Sequence, residues 1–172
     1  TEGFGPASQG FDRTHDLAGH LSTALGGSWD VMSRANGGMG YTVWWTQPGT
    51  TPSRNQDLAD ALALQPYWHV ILLGSNDLNR GVPVADIVAE ATYQHAQVAQ
   101  YGGRSLIVGH LYPATNDTAL DAALSAAFGA DYVAPPAFVE ADYVEPAGQA
   151  HVHLNDQGLT KLAAALKAKI AP

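Results

Sequence analysis

Tyr67-Trp68-His69-Val70-Ile71-Leu72-Leu73-Gly74-Ser75-Asn76-Asp77 is the stretch whose reading decides the fold. Pro66 closes off what precedes it, and the nearly continuous apolar run from Tyr67 to Leu73 is of the kind carried by strands buried in a parallel sheet. Parallel strands need crossover connections, usually helices, and the flanking sequence supplies them. Downstream, Val84 to Tyr101 reads as the longest helix, with Val84, Ile87, Val88, Ala91 and Ala99 on its inner stripe, and Ser105 to Val108 reads as the next strand. Asn116 or Asp117 can cap a helix running to about Phe128, followed by a short strand over Asp131 to Val133. A final helix capped by Asn155 or Asp156 repeats Leu159, Leu162, Ala163, Leu166 and Ile170 at helical spacing, with Lys161, Lys167 and Lys169 toward its C-terminal end. Upstream, Leu17, Leu21 and Leu25 share a helical face that Gly26-Gly27 ends, Trp29 to Arg34 reads as a strand, and Asp57 to Leu64 as a short helix. The alternation predicts an α/β fold in a single domain spanning residues 1–172.

Composition narrows the function classes. Of 172 residues, 46% are hydrophobic, which suits one globular core, and no apolar run reaches the roughly 18 residues that a membrane-spanning helix requires. Asp and Glu number 16 against 8 Lys and Arg, a formal charge of −8, and the few cations are scattered, so the basic stripe that neutralises nucleic-acid phosphates is missing. The chain has no Cys, which excludes disulfides, thiolate catalysis and Cys-based metal centres. It opens on Thr1-Glu2-Gly3, with neither an initiator Met nor a signal-like segment, which reads as a processed end.

Open α/β sheets gather chemistry where loops at the carboxyl ends of strands converge. Three loops carry polar or glycine residues that periodicity does not explain. Gly74-Ser75-Asn76-Asp77 follows the apolar strand: Gly74 lets the backbone pass closely, and the Asn76 amide can donate to a developing oxyanion. His151-Val152-His153 precedes the closing helix, and a His there can serve as a general base. Asn36-Gly37-Gly38-Met39-Gly40-Tyr41 exposes backbone N–H groups but lacks the context of a dinucleotide-binding loop.

Taken in order and spacing, these three blocks resemble those of the SGNH (GDSL-type) hydrolases, over nearly the whole chain. Gly38 matches the glycine of the second block, Gly74 and Asn76 match the Gly-x-Asn-Asp block with Asp77 at its end, and His153, followed by Leu154-Asn155 and Gly158, matches the last block. The resemblance implies a flavodoxin-like three-layer α/β/α sandwich. It also implies a serine esterase that cleaves a small ester, such as a short acyl ester or an acetylated sugar, without metal or organic cofactor. His153 would be the base, Gly38 and Asn76 the oxyanion donors, and Gly74 and Asp77 their support. Tyr41, Trp44 and Trp45 are candidate walls of a substrate groove, with core packing as the competing reading.

Two departures accompany the resemblance. No Gly-Asp-Ser occurs in the chain, and Thr1-Glu2-Gly3 looks like the continuation of that motif. The nucleophile and the first strand are therefore expected on a preceding or separate peptide. Ser8 and Ser75 are hydroxyls without a predicted first-block elbow, and Thr1 with its own amine would require another fold logic. The second departure is Ala150, where the family has the Asp that orients the base; Glu145 and Asp142 lie upstream as substitutes, and a main-chain carbonyl is the alternative. An inactive binding or assembly module that keeps the cleft is the competing expectation. His15 and His110 read as a surface and a strand-end residue, and His151 with His153 has a metal-like spacing but no evident third ligand.

Overall fold

The computed structural model describes residues 16–26, 29–33, 40–42, 61–111, 118–145, 147 and 153–172. Contacts divide the chain into two compact units, one formed by residues 1–35, 111–116 and 135–172, the other by residues 36–110 and 117–134.

The second of these units carries the sheet. The run read from the sequence forms β1 (Trp68–Ile71), which leads into α2 (Ser75–Asn79) and α3 (Val84–Gln100); the chain returns as β2 (Arg104–Val108), continues through α4 (Thr118–Phe128) and ends in the short β3 (Tyr132–Val133). Among the described residues the sheet is three-stranded and wholly parallel in the order β1-β2-β3, with Val70 opposite Leu106 and Ile107 opposite Tyr132. The α/β class with a parallel sheet is thus observed. Ile87 and Ala91 of α3, Ile107 of β2, Leu120, Leu124 and Phe128 of α4, Tyr132 and Tyr41 form its core.

The sequence and the structure differ in where burial falls. All four residues of β1 are only half-buried, whereas in β2 every residue after Arg104 is buried. The apolar run reports what β1 could bury, but its outer edge pairs with no strand among the described residues, so the buried central strand is β2. Two polar side chains on α3 are buried, Glu90 and Gln94, while Ala99, expected on the inner stripe, is exposed. The buried Ser105 hydroxyl is satisfied by His95 Nδ1 at 2.6 Å. Of the helix expected over Asp57 to Leu64, a turn at 61–63 lies within the described residues; it gives way to Gln65 at φ 49°, just before Pro66.

In the other unit, α1 (Leu17–Leu25) packs against α5 (Asp156–Ile170). Asp16 caps α1 by accepting from the Gly19 amide at 2.8 Å, and Asn155 caps α5 by accepting from the Gln157 and Gly158 amides. Leu159, Leu162, Ala163, Leu166 and Ile170 are all buried, as their spacing predicts. His20 joins the two helices, with Nε2 3.3 Å from Asp156 Oδ1 and Nδ1 3.2 Å from Thr160 Oγ1.

The strand expected over Trp29 to Arg34 does not form at 29–33. Residues there alternate between half-buried and exposed, Met32 is 53% exposed, and no described strand lies alongside to complete a ladder. Arg34 lies outside the described residues. Among the described residues no helix is long and apolar enough to cross a membrane.

Candidate functional site

Each unit carries one of the chemical groups read from the sequence. In the sheet-bearing unit, Gly74 precedes α2 at φ 111°, a conformation L side chains rarely adopt, and a Cβ there would meet Leu120 at 3.1 Å. The turn so formed opens α2 with Ser75 and Asn76, both half-buried, and turns Asp77 inward until it is fully buried. The Asp77 carboxylate receives the backbone N–H groups of Tyr41 at 2.6 Å and Thr42 at 2.8 Å, and the Thr42 hydroxyl at 2.6 Å. Gly74, Asn76 and Asp77 therefore sit together in one turn, and Asp77 ties that turn to the segment after the glycine loop.

Tyr41 is not a groove wall. Its side chain is fully buried in the core, drawn in beside Asp77, and burial followed by the Asp77 charge pushes its hydroxyl well above the usual phenol range. The hydroxyl has no hydrogen-bond partner among the described residues. Gly38, Trp44 and Trp45 lie outside the described residues. A shallow cavity of about 300 Å³ is lined by Thr42, Asp86, Ala89 and Glu90, none of which the sequence singles out.

In the other unit His153 is positioned by a short antiparallel bridge. Tyr143 pairs with Leu154, with the Val144 amide donating to the His153 carbonyl at 2.9 Å and the Asn155 amide donating to the Asp142 carbonyl at 2.8 Å. The Asn155 carboxamide reinforces this bridge by donating to the Ala141 and Tyr143 carbonyls at 2.7 and 3.0 Å. The bridge brings Glu145 beside His153. Glu145 Oε1 lies 2.7 Å from His153 Nδ1, and Oε2 accepts from the His153 backbone N–H at 3.1 Å. The imidazole is 56% exposed, and its Nε2 makes no hydrogen bond among the described residues. A carboxylate on Nδ1 fixes the ring and its tautomer and leaves Nε2 as the proton acceptor.

Of the two upstream carboxylates, Glu145 is thus the one on His153. Asp142 is engaged elsewhere: fully buried, it accepts from the Val139 amide at 2.8 Å and from Lys161 Nζ at 2.7 Å. Burial opposes its ionisation, but hydrogen bonds from Lys161 and Val139 and the Lys161 charge outweigh it, holding the carboxyl below the usual carboxylate range. Gly158 fits beneath this turn, where a Cβ would lie 2.5 Å from the Asp142 carbonyl oxygen. His110 is buried at the end of β2, its amide donating to Asp121 at 2.7 Å, and Ala150, His151 and His15 lie outside the described residues. Among the described residues no group of His, Asp and Glu could hold a metal ion.

Set against known proteins, the chain matches no family model, no curated protein and no solved structure.

Proposed function

We propose that the chain is a serine ester hydrolase of the carboxylesterase or deacetylase type, acting on a small acyl or acetylated-sugar ester. The observation that carries the reading is the Glu145–His153 pair, a histidine gripped through Nδ1 whose Nε2 makes no hydrogen bond among the described residues. The block spacing of Gly38, Gly74, Asn76 and His153 supports it independently.

In this reading His153 Nε2 takes the proton of the serine hydroxyl as the oxygen attacks the ester carbonyl. Glu145 stabilises the imidazolium that forms. The Asn76 carboxamide and the Gly38 amide donate to the oxyanion. His153 then returns the proton to the departing alcohol, and water activated by the same ring releases the acid from the acyl-enzyme. In this reading the serine is supplied by a preceding or separate strand, as the resemblance implies.

The test is hydrolysis of p-nitrophenyl acetate by the protein as expressed from its gene, with fluorophosphonate labelling and mapping of the labelled serine. Turnover together with labelling at a serine outside the Gly74–Asp77 turn supports the reading. Absence of both overturns it in favour of a non-catalytic binding module, the alternative favoured by Ala150 and by the missing Gly-Asp-Ser.

A further inference from the structure

Asp77 makes more contacts than closing a turn requires. Its carboxylate is fully buried, and among the described residues no Lys or Arg forms an ion pair with it. Burying an ionised carboxylate is costly unless hydrogen bonds replace its water. Here three donors from one short segment do so, Tyr41 N–H on Oδ2 and both the N–H and the hydroxyl of Thr42 on Oδ1. Only an acceptor-only group can collect three converging donors in this way. The approach is close enough that any Cβ on Gly40 would overlap the carboxylate. The main chain of Asp77 is held as well, its carbonyl accepting from Arg80 at 3.1 Å and Val82 at 3.0 Å.

What the carboxylate joins matters. Asp77 directly follows Asn76 in α2, and the segment it grips begins two residues after Gly38. We infer that Asp77 is a positioning residue whose buried carboxylate locks the Gly40–Thr42 segment to the start of α2, and thereby fixes the place of the adjoining Asn76 carboxamide as an oxyanion donor. This rests on the ester-hydrolase reading. A misplacement of about 1 Å at a reacting centre can cost on the order of 10²-fold in rate, so the lock acts on kcat rather than on substrate binding.

The experiment compares Asp77→Asn, Thr42→Val and Thr42→Ser with the parent protein in p-nitrophenyl acetate hydrolysis, with thermal melts confirming folding. Asp77→Asn should lower kcat about 10²-fold and Thr42→Val about 10-fold, each with KM nearly unchanged, while Thr42→Ser, which keeps the hydroxyl, stays near the parent. Unchanged kcat in folded Asp77→Asn and Thr42→Val, or a rise in KM alone, overturns the inference. Should Asp77→Asn fail to fold, the contrast between Thr42→Val and Thr42→Ser decides it. A parent without ester turnover overturns the hydrolase reading instead, and the lock is then read from ¹H–¹⁵N spectra. The Asn76 side-chain amide signals should shift in Thr42→Val and stay in place in Thr42→Ser; signals unmoved in both overturn the lock.

Discussion

Glu145 holds His153 at two points, one carboxylate oxygen on the ring Nδ1 at 2.7 Å and the other on the backbone N–H at 3.1 Å. A single carboxylate thus fixes the place of the residue and the rotation of its ring together. It does so from eight positions upstream, without the Asp that the resemblance expects at position 150.

Glu145→Gln should therefore lower kcat for p-nitrophenyl acetate by about 10²–10⁴-fold, the upper figure being the cost of losing the orienting carboxylate in a well-studied triad. His153→Ala should abolish turnover, and His151→Ala should be mild. Ala150→Asp should bring less than a severalfold gain, because Nδ1 carries one hydrogen and Glu145 already receives it. A large gain in Ala150→Asp would show that Glu145 does not serve the ring.

Asn76→Ala should reduce kcat by about 10²–10³-fold with little change in KM, the signature of a donor used only in the transition state. Steady-state kinetics beside a thermal melt make the check. A fall in stability that accounts for the lost activity would make Asn76 a turn residue only.

The fold was legible where local rules and tertiary contacts agree. In α5 the Asn155 cap and the Leu159–Ile170 spacing sufficed, because that helix buries one regular stripe. Burial of β1 was not legible: a Tyr-to-Leu apolar run states an affinity for a core, while exposure depends on which strands lie alongside. The same distinction removes, at 29–33, the strand expected over Trp29 to Arg34. Spacing singled out His153 as a candidate, but which carboxylate, Asp142 or Glu145, lies on its ring depends on the Tyr143–Leu154 bridge, which no local pattern announces. The Asp77 lock was hidden for a like reason, since Thr42 carries no motif.

Acid should weaken the unit held by Asp142. Its carboxyl is held below the ordinary value near 3.9, so its contribution to stability is complete above that value and is lost as pH falls through the lower, folded-state pKa. Urea unfolding between pH 7 and pH 2 should show this loss, and Asp142→Asn should lack that part of the slope. Lys161→Met, which strands the buried carboxylate, should cost about 1–3 kcal/mol at neutral pH, the lower end reflecting the partial exposure of Lys161. An unchanged acid slope in Asp142→Asn would show that other carboxylates set it.

Gly158→Ala opposes two effects of known size. Replacing a helical Gly by Ala ordinarily stabilises by roughly 0.5–1 kcal/mol. Here the added Cβ would lie 2.5 Å from the Asp142 carbonyl oxygen and 2.9 Å from a Leu154 methyl, and overpacking typically costs about 1–3 kcal/mol. The clash should win and lower the melting temperature. A rise would show that the Asp142 turn yields freely.

The sheet order β1-β2-β3 follows the chain, so α3 and α4 each bridge strands that are neighbours in sequence as well as in space. By contrast α1 and α5 meet from opposite ends of the chain, and closing so long a loop costs entropy before any contact returns it. The order of events in folding follows from this. The stretch from β1 to β3 should be largely formed at the rate-limiting step, and the pairing of the two end helices should come after it. Ile107→Val should slow folding, whereas Leu21→Ala should chiefly hasten unfolding. In stopped-flow kinetics the two substitutions should therefore move opposite arms of the chevron, and a Leu21 effect confined to the folding arm would reverse that order.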